Sequence, residues 1–170
     1  MDNQQERRSR DLCWLAGAWE GEGWFVISNI RRNKKDIKQH YRVECGITNN
    51  DIAFIKETLK ILKEHNIPTY ISVRGRKGNQ NPTVRIDIKG YKRVRRFLDT
   101  ITPHLRAKKL EIAKLLYDFI NSREPKHSWS RYDEYEDSLY RKVKQLNARG
   151  RDAATYTVSP ESIRQELSTV

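Results

Sequence analysis

The chain has 170 residues, 36% of them aliphatic or aromatic and 33% charged, enough apolar material for one packed domain and too much charge for disorder or a membrane bundle. Its 34 Lys+Arg against 22 Asp+Glu leave a net charge of +12, which points to a polyanionic partner, nucleic acid before an anionic membrane surface. No apolar run approaches the ~20 residues that span a bilayer, and Cys13 and Cys45 form no CxxC or zinc spacing, so the expectation is reduced thiols inside a cell and no membrane.

Residues 1–10 are polar and are expected to be flexible. Leu12, Leu15, Ala16 and Trp19 then recur at i, i+3, i+4 and i+7, the stripe of an amphipathic helix. Cys13, Gly17 and Gly21 fall four apart on a neighbouring face. Two glycines inside a helix cost roughly 1 kcal/mol each against alanine, which is tolerated where another backbone comes close. Gly23 ends the helix, and Trp24-Phe25-Val26-Ile27 opens a strand over 24–31.

Tyr41, Val43, Cys45 and Ile47 alternate with Arg42, Glu44 and Gly46 in a half-buried strand. Asn49-Asn50-Asp51 offers a cap for a helix carrying Ile52, Ile55, Leu59 and Leu62 to about His65. The pattern then repeats: a strand over 69–74, a basic turn, a strand alternating Val84, Ile86 and Ile88 with Arg85, Asp87 and Lys89, and a helix carrying Val94, Phe97, Leu98 and Ile101. Leu105 to Asn121 reads as a long helix, and Tyr135, Leu139, Val143 and Leu146 mark another. Ser159-Pro160-Glu161 is a start signal for a short final helix. The order is αββαββα followed by C-terminal helices: an α+β domain over 11–170, with its core in 11–121 and a helical extension over 122–170.

Two sets of side chains carry chemistry. Glu20 and Glu22 lie in the last turn of the first helix, where the dipole disfavours negative charge. They are either solvated surface acids or acids offset by a cation, and a metal is the obvious one. The polar faces of the strands carry Ser28, Arg32, Arg42, Glu44, Arg74, Arg85, Asp87 and Lys89. Arginine reads guanine, acids accept from cytosine, and a two-stranded ribbon fits the major groove. Arg149 and Arg151, in a basic loop, suit phosphates. The four histidines make no HNH or HExxH spacing, Asp87-Ile88-Lys89 is a weak echo of a DxK pair, and neither cysteine has a histidine near it in sequence.

The nonapeptide Leu15-Ala16-Gly17-Ala18-Trp19-Glu20-Gly21-Glu22-Gly23 resembles the LAGLIDADG motif of homing endonucleases, with glutamate at both acidic positions. With a single such motif, the chain resembles the branch that works as a homodimer. The resemblance implies a four-stranded antiparallel saddle sheet with helices on one face, and motif helices that meet at a dimer interface through Cys13, Gly17 and Gly21. It implies a double-stranded DNA target of long, pseudo-palindromic sequence and a divalent metal, Mg²⁺, on Glu22 with the Gly21 carbonyl as helper. Asn49 stands where the family positions water, with helix capping as its alternative role. Lys108, after Pro103, stands where a lysine lies near the scissile phosphate, and Arg74 could hold a phosphate or base nearby. The other functions the resemblance allows are an RNA-binding maturase for a host intron and a DNA-binding regulator without nuclease activity.

Overall fold

A computed structural model describes residues 3–30, 40–75, 82–124, 126 and 130–148. Arg32, Arg149, Arg151 and the expected helix near Ser159 lie outside the described residues. In chain order the elements are α1 (Asn3–Glu22), β1 (Gly23–Asn29), β2 (Tyr41–Asn49), α2 (Ile52–Glu64), β3 (Tyr70–Arg74), β4 (Thr83–Lys89) and α3 (Tyr91–Ile101). A short 3₁₀ turn, Thr102–His104, leads to α4 (Ala107–Arg123) and α5 (Glu134–Asn147). The strands pair antiparallel in the order β1-β2-β4-β3.

Residues 3–10, the polar stretch before the amphipathic stripe, form the first turns of α1. Asn-Gln-Gln-Glu-Arg-Arg-Ser-Arg holds no proline or glycine, its glutamines, glutamate and arginines are good helix formers, and Glu6 complements the positive end of the dipole. Polarity alone does not argue against a helix that continues an amphipathic one.

Period-2 alternation sends Phe25, Ile27, Val43, Cys45, Ile47, Ile86 and Ile88 to one face of the sheet, all of them buried. There they meet Leu15, Ala16 and Trp19 of α1, the apolar sides of α2 and α3, and Ile112, Leu116 and Phe119 of α4. Trp19 and Phe97 are fully buried with ring centroids 4.5 Å apart. Truncating either aromatic would cost about 3–5 kcal/mol. Gly23 lets α1 run straight into β1. A Cβ there would lie 2.5 Å from the Trp19 ring and 2.7 Å from its carbonyl oxygen.

The C-terminal helices cover the β1 edge of the sheet. Asn147, the last residue of α5, donates to the Phe25 carbonyl at 2.8 Å. The α4–α5 elbow is held by charge that the sequence shows only as scattered surface residues. Glu136 is fully buried, 3.4 Å from the Arg123 guanidinium and 3.0 Å from the Lys126 ammonium. Arg123 also lies over the Tyr132 ring and donates to the Ser130 carbonyl. Removing one partner of such a pair strands the other charge, at about 3–5 kcal/mol.

Candidate nucleic-acid interface and metal site

The face of the sheet turned away from the helices is a grid set by strand register. One row across it is Ser28 and Arg42; the next is Val26, Glu44 and Lys89; the next is Trp24, Gly46, Asp87 and Tyr70; and the next is Thr48, Arg85 and Ser72. Arg74 stands beyond them, opposite Thr83, exposed at the end of the edge strand β3. The polar set expected from the sequence is brought onto one surface, except for the undescribed Arg32.

The acids on this face do not stand free. Glu44 and Asp87 are 9% and 4% exposed. Glu44 accepts from Ser28 at 2.9 Å and pairs with Arg42 at 3.6 Å. Asp87 pairs with Arg85 at 2.8 Å and Lys89 at 3.1 Å. The carboxylates lie beneath the cations and orient them, and the outermost charge is positive.

At one end of the grid, α1 delivers the motif acids. Glu22, exposed in the last turn, makes no hydrogen bond or ion pair with the described residues and borders a groove of about 640 Å³. Gly21, Trp24, Arg85, Lys109 and Asn147 also line that groove. Glu20 does something else: its carboxylate accepts from the backbone N–H of Arg106, the N-cap of α4, whose own side chain supplies no cap. One motif acid fixes the start of α4 and the other is left open to the groove.

The lysines divide similarly. Ala107 takes a left-handed φ of +44°, and the two lysines that follow it differ in surroundings. Lys108 is exposed, whereas Lys109 lines the groove and donates to the Gly23 carbonyl. Asn49 closes β2; its Oδ1 accepts from the Asp51 N–H at 2.9 Å, while Asp51 itself caps α2. Asn49 is not among the groove's lining residues.

Cys13, Gly17 and Gly21 are exposed on α1, and a Cβ added at Gly17 or Gly21 meets nothing within 4 Å. Burial pushes the Cys45 thiol well above its usual range, so it is no nucleophile.

The donor chemistry fits a hard divalent ion. Among the described residues no three of His, Cys, Asp and Glu cluster, which excludes a closed cage of side chains. An unpartnered carboxylate at the groove is an oxygen donor of the sparse kind that Mg²⁺ accepts, since that ion keeps several waters and takes one or two carboxylates plus phosphate oxygens.

Residues 10–102, more than half of the chain, match the model of the LAGLIDADG-like domain. The chain belongs to the LAGLIDADG-like family. No curated protein sequence matches it. Solved LAGLIDADG homing endonucleases share its fold. The homing endonuclease I-CvuI, crystallised with DNA targets in the presence of Mg or Ca, is 22% and 20% identical in the two structures over 96% of both chains, with TM-scores of 0.60 and 0.61. The archaeal intron-encoded I-Vdi141I, complexed with DNA, is 13% identical over 87% of this chain and 88% of its own, with a TM-score of 0.61. I-SmaMI, bound to cleaved DNA, is 15% identical over 94% of this chain but only 48% of its own length, with a TM-score of 0.58. At these identities the likeness is one of fold, an α+β LAGLIDADG architecture with an open four-stranded antiparallel sheet.

Two groove residues escaped the sequence reading. Trp24 read as the start of an apolar strand, although its parity with Val26 and Ser28 puts it on the polar face. Lys109 was hidden by its neighbour. Counting from Pro103 selects Lys108 and cannot anticipate a left-handed Ala107.

Proposed function

We propose that the chain is a site-specific double-strand DNA endonuclease of the homing type, acting as a homodimer with Mg²⁺ on a long pseudo-palindromic target. The observation that carries this reading is Glu22, an unpartnered carboxylate at a helix C-terminus where a cationic sheet face meets the groove. Phosphodiester hydrolysis needs a hydroxide nucleophile and relief of charge on the phosphorane and the leaving oxygen; a bound divalent ion supplies both. Glu22 and the Gly21 carbonyl would hold that ion. Arg42, Arg85, Lys89 and Arg74, with Ser28, lay the duplex on the sheet, contacting phosphates and base edges. Glu44 and Asp87 set the directions of those cations, and Arg32, Arg149 and Arg151, outside the described residues, would add basic contacts to phosphates.

A groove lysine offers positive charge to the scissile phosphate. Lys109 has the better position and Lys108 the better sequence match, and the pair is separable by mutation. Asn49, at the end of β2 near Thr48, orients water or serves the α2 turn through its bond to Asp51. Dimerisation is supported by the open face of α1, where Gly17 and Gly21 permit close approach of a second α1.

The deciding experiment is Mg²⁺-dependent cleavage of a plasmid library of randomised, partly palindromic sites, read by sequencing the cut ends, with Glu22→Gln in parallel. We expect paired staggered cuts at one long site. Glu22→Gln should bind that site and cut it more slowly by on the order of a hundred-fold or more, the scale of losing one group that stabilises transition-state charge. Tight, salt-sensitive binding with no cutting by the unmodified chain would instead favour the regulator or maturase reading. Cutting by Glu22→Gln at the full rate would remove Glu22 from the site.

A further inference from the structure

Trp24 has no role in the scheme above, and its surroundings give it one. Its indole lies across Gly46 of the neighbouring strand, so close that a Cβ at Gly46 would stand 2.6 Å from the ring and 2.5 Å from the Ile86 carbonyl oxygen. Only a glycine leaves room for the ring to cross β2. On the far side of that strand the Arg85 guanidinium sits over the ring, 4.7 Å from its centroid. Arg85 is held at a second point, where its Nε donates to Asp87 at 2.8 Å. Asp87 is buried and also pairs with Lys89, so it does not swing with the arginine. A flat guanidinium clamped on its face and at Nε has lost most of its freedom, while both Nη groups lack a hydrogen-bond partner among the described residues. That is the free edge that pairs in bidentate fashion with guanine O6 and N7.

The groove gives the location. Glu22, Trp24 and Arg85 line the same groove, so the base that Arg85 reads lies beside the phosphate that Glu22 would serve, within a few base pairs of the cut at about 3.4 Å per base pair.

Resting on the endonuclease reading, we infer that Trp24 and Arg85 form a preorganised guanine reader beside the cut, with Trp24 as a positioning residue that sets specificity through Arg85. Preorganisation matters because an arginine free to wander forms the same bonds only at the expense of rotamer entropy. It also donates to other acceptors on nearby bases. The clamp thus raises discrimination more than affinity.

The test is base-by-base binding selection from a randomised library with Ca²⁺ in place of Mg²⁺, so that bound DNA survives. The unmodified chain should select guanine at one position per half-site near the cut, by about ten-fold or more. Trp24→Ala should flatten that one position to a few-fold and leave the rest of the profile intact, while Trp24→Phe, which keeps a ring under Arg85, should restore most of it. Arg85→Lys, which preserves charge and removes the fork, should flatten the same position and guards against a Trp24→Ala chain that does not fold. A guanine preference untouched by Trp24→Ala, or a uniform loss at every position, would overturn the inference. So would a profile in which Arg85→Lys changes nothing. Selection of no site by the unmodified chain would overturn the endonuclease reading itself, a distinct result.

Discussion

Glu20 and Glu22 stand two residues apart and differ in everything around them. Glu20 is spent on the Arg106 amide at the start of α4, whereas Glu22 has no partner among the described residues. Their variants should separate in kind. Glu20→Ala removes a cap supplied from another helix and should lower stability by about 1 kcal/mol, within the 0.5–2 kcal/mol of lost N-caps. Glu22→Gln should stay within about 0.5 kcal/mol of the unmodified chain, as exposed substitutions do. Urea unfolding of both measures this, and equal losses would deny the division of labour. The lysines are argued the same way. Lys109→Ala should slow cleavage of bound DNA by on the order of a hundred-fold, with Lys108→Ala much closer to unmodified; single-turnover rates in the reverse order would return the role to Lys108. The position of the motif acids at the end of α1 was legible from the sequence because the motif is a local string. Which lysine lines the groove was not, because that depends on the backbone at Ala107.

The helices and strands were legible because burial imposes periods of 3.6 and 2 on them, and the pleat parity that named Ser28, Arg42, Arg85 and Lys89 as one face held across β1, β2 and β4. Trp24 shares that parity, yet an aromatic at the start of an apolar run is read as core. What overrides the habit is the hole at Gly46, a contact between strands that no single run displays. The α4–α5 elbow was equally hidden, since nothing in the order of residues says that Arg123 and Glu136 bury each other. At its edge the elbow is pH-sensitive. The hydrogen bond from Lys126, with the capping bond from the Glu136 amide, holds the Asp133 carboxyl below the usual carboxylate range. A depressed folded-state pKa gives stability that is complete above the unfolded value of about 3.9 and is lost as pH falls through the lower folded value. Melting temperature followed from pH 5 downward should therefore drop more steeply for the unmodified chain than for Asp133→Ala, which starts lower. Parallel curves would show that the cap carries no charge-dependent part.

For the whole molecule, the open face of α1 gives a clean test of association. A side chain at Gly17 meets nothing within the chain, and leucine is a better helix former than glycine. Gly17→Leu should leave a single chain as stable as before or more so, while it drives two α1 helices apart. Light scattering should fall from twice the chain mass to 20.2 kDa, and DNA cleavage should fall with it. An unchanged dimer would move the interface off this face. The helix that carries Gly17 ends at Glu22, five residues and nearly a turn and a half further on. In such a dimer the separation of the two metal carboxylates is a length written into α1 and the angle at which two copies cross. The stagger between the cuts on opposite strands is then a property of the protein, and cohesive ends of one fixed length follow whatever sequence lies between them.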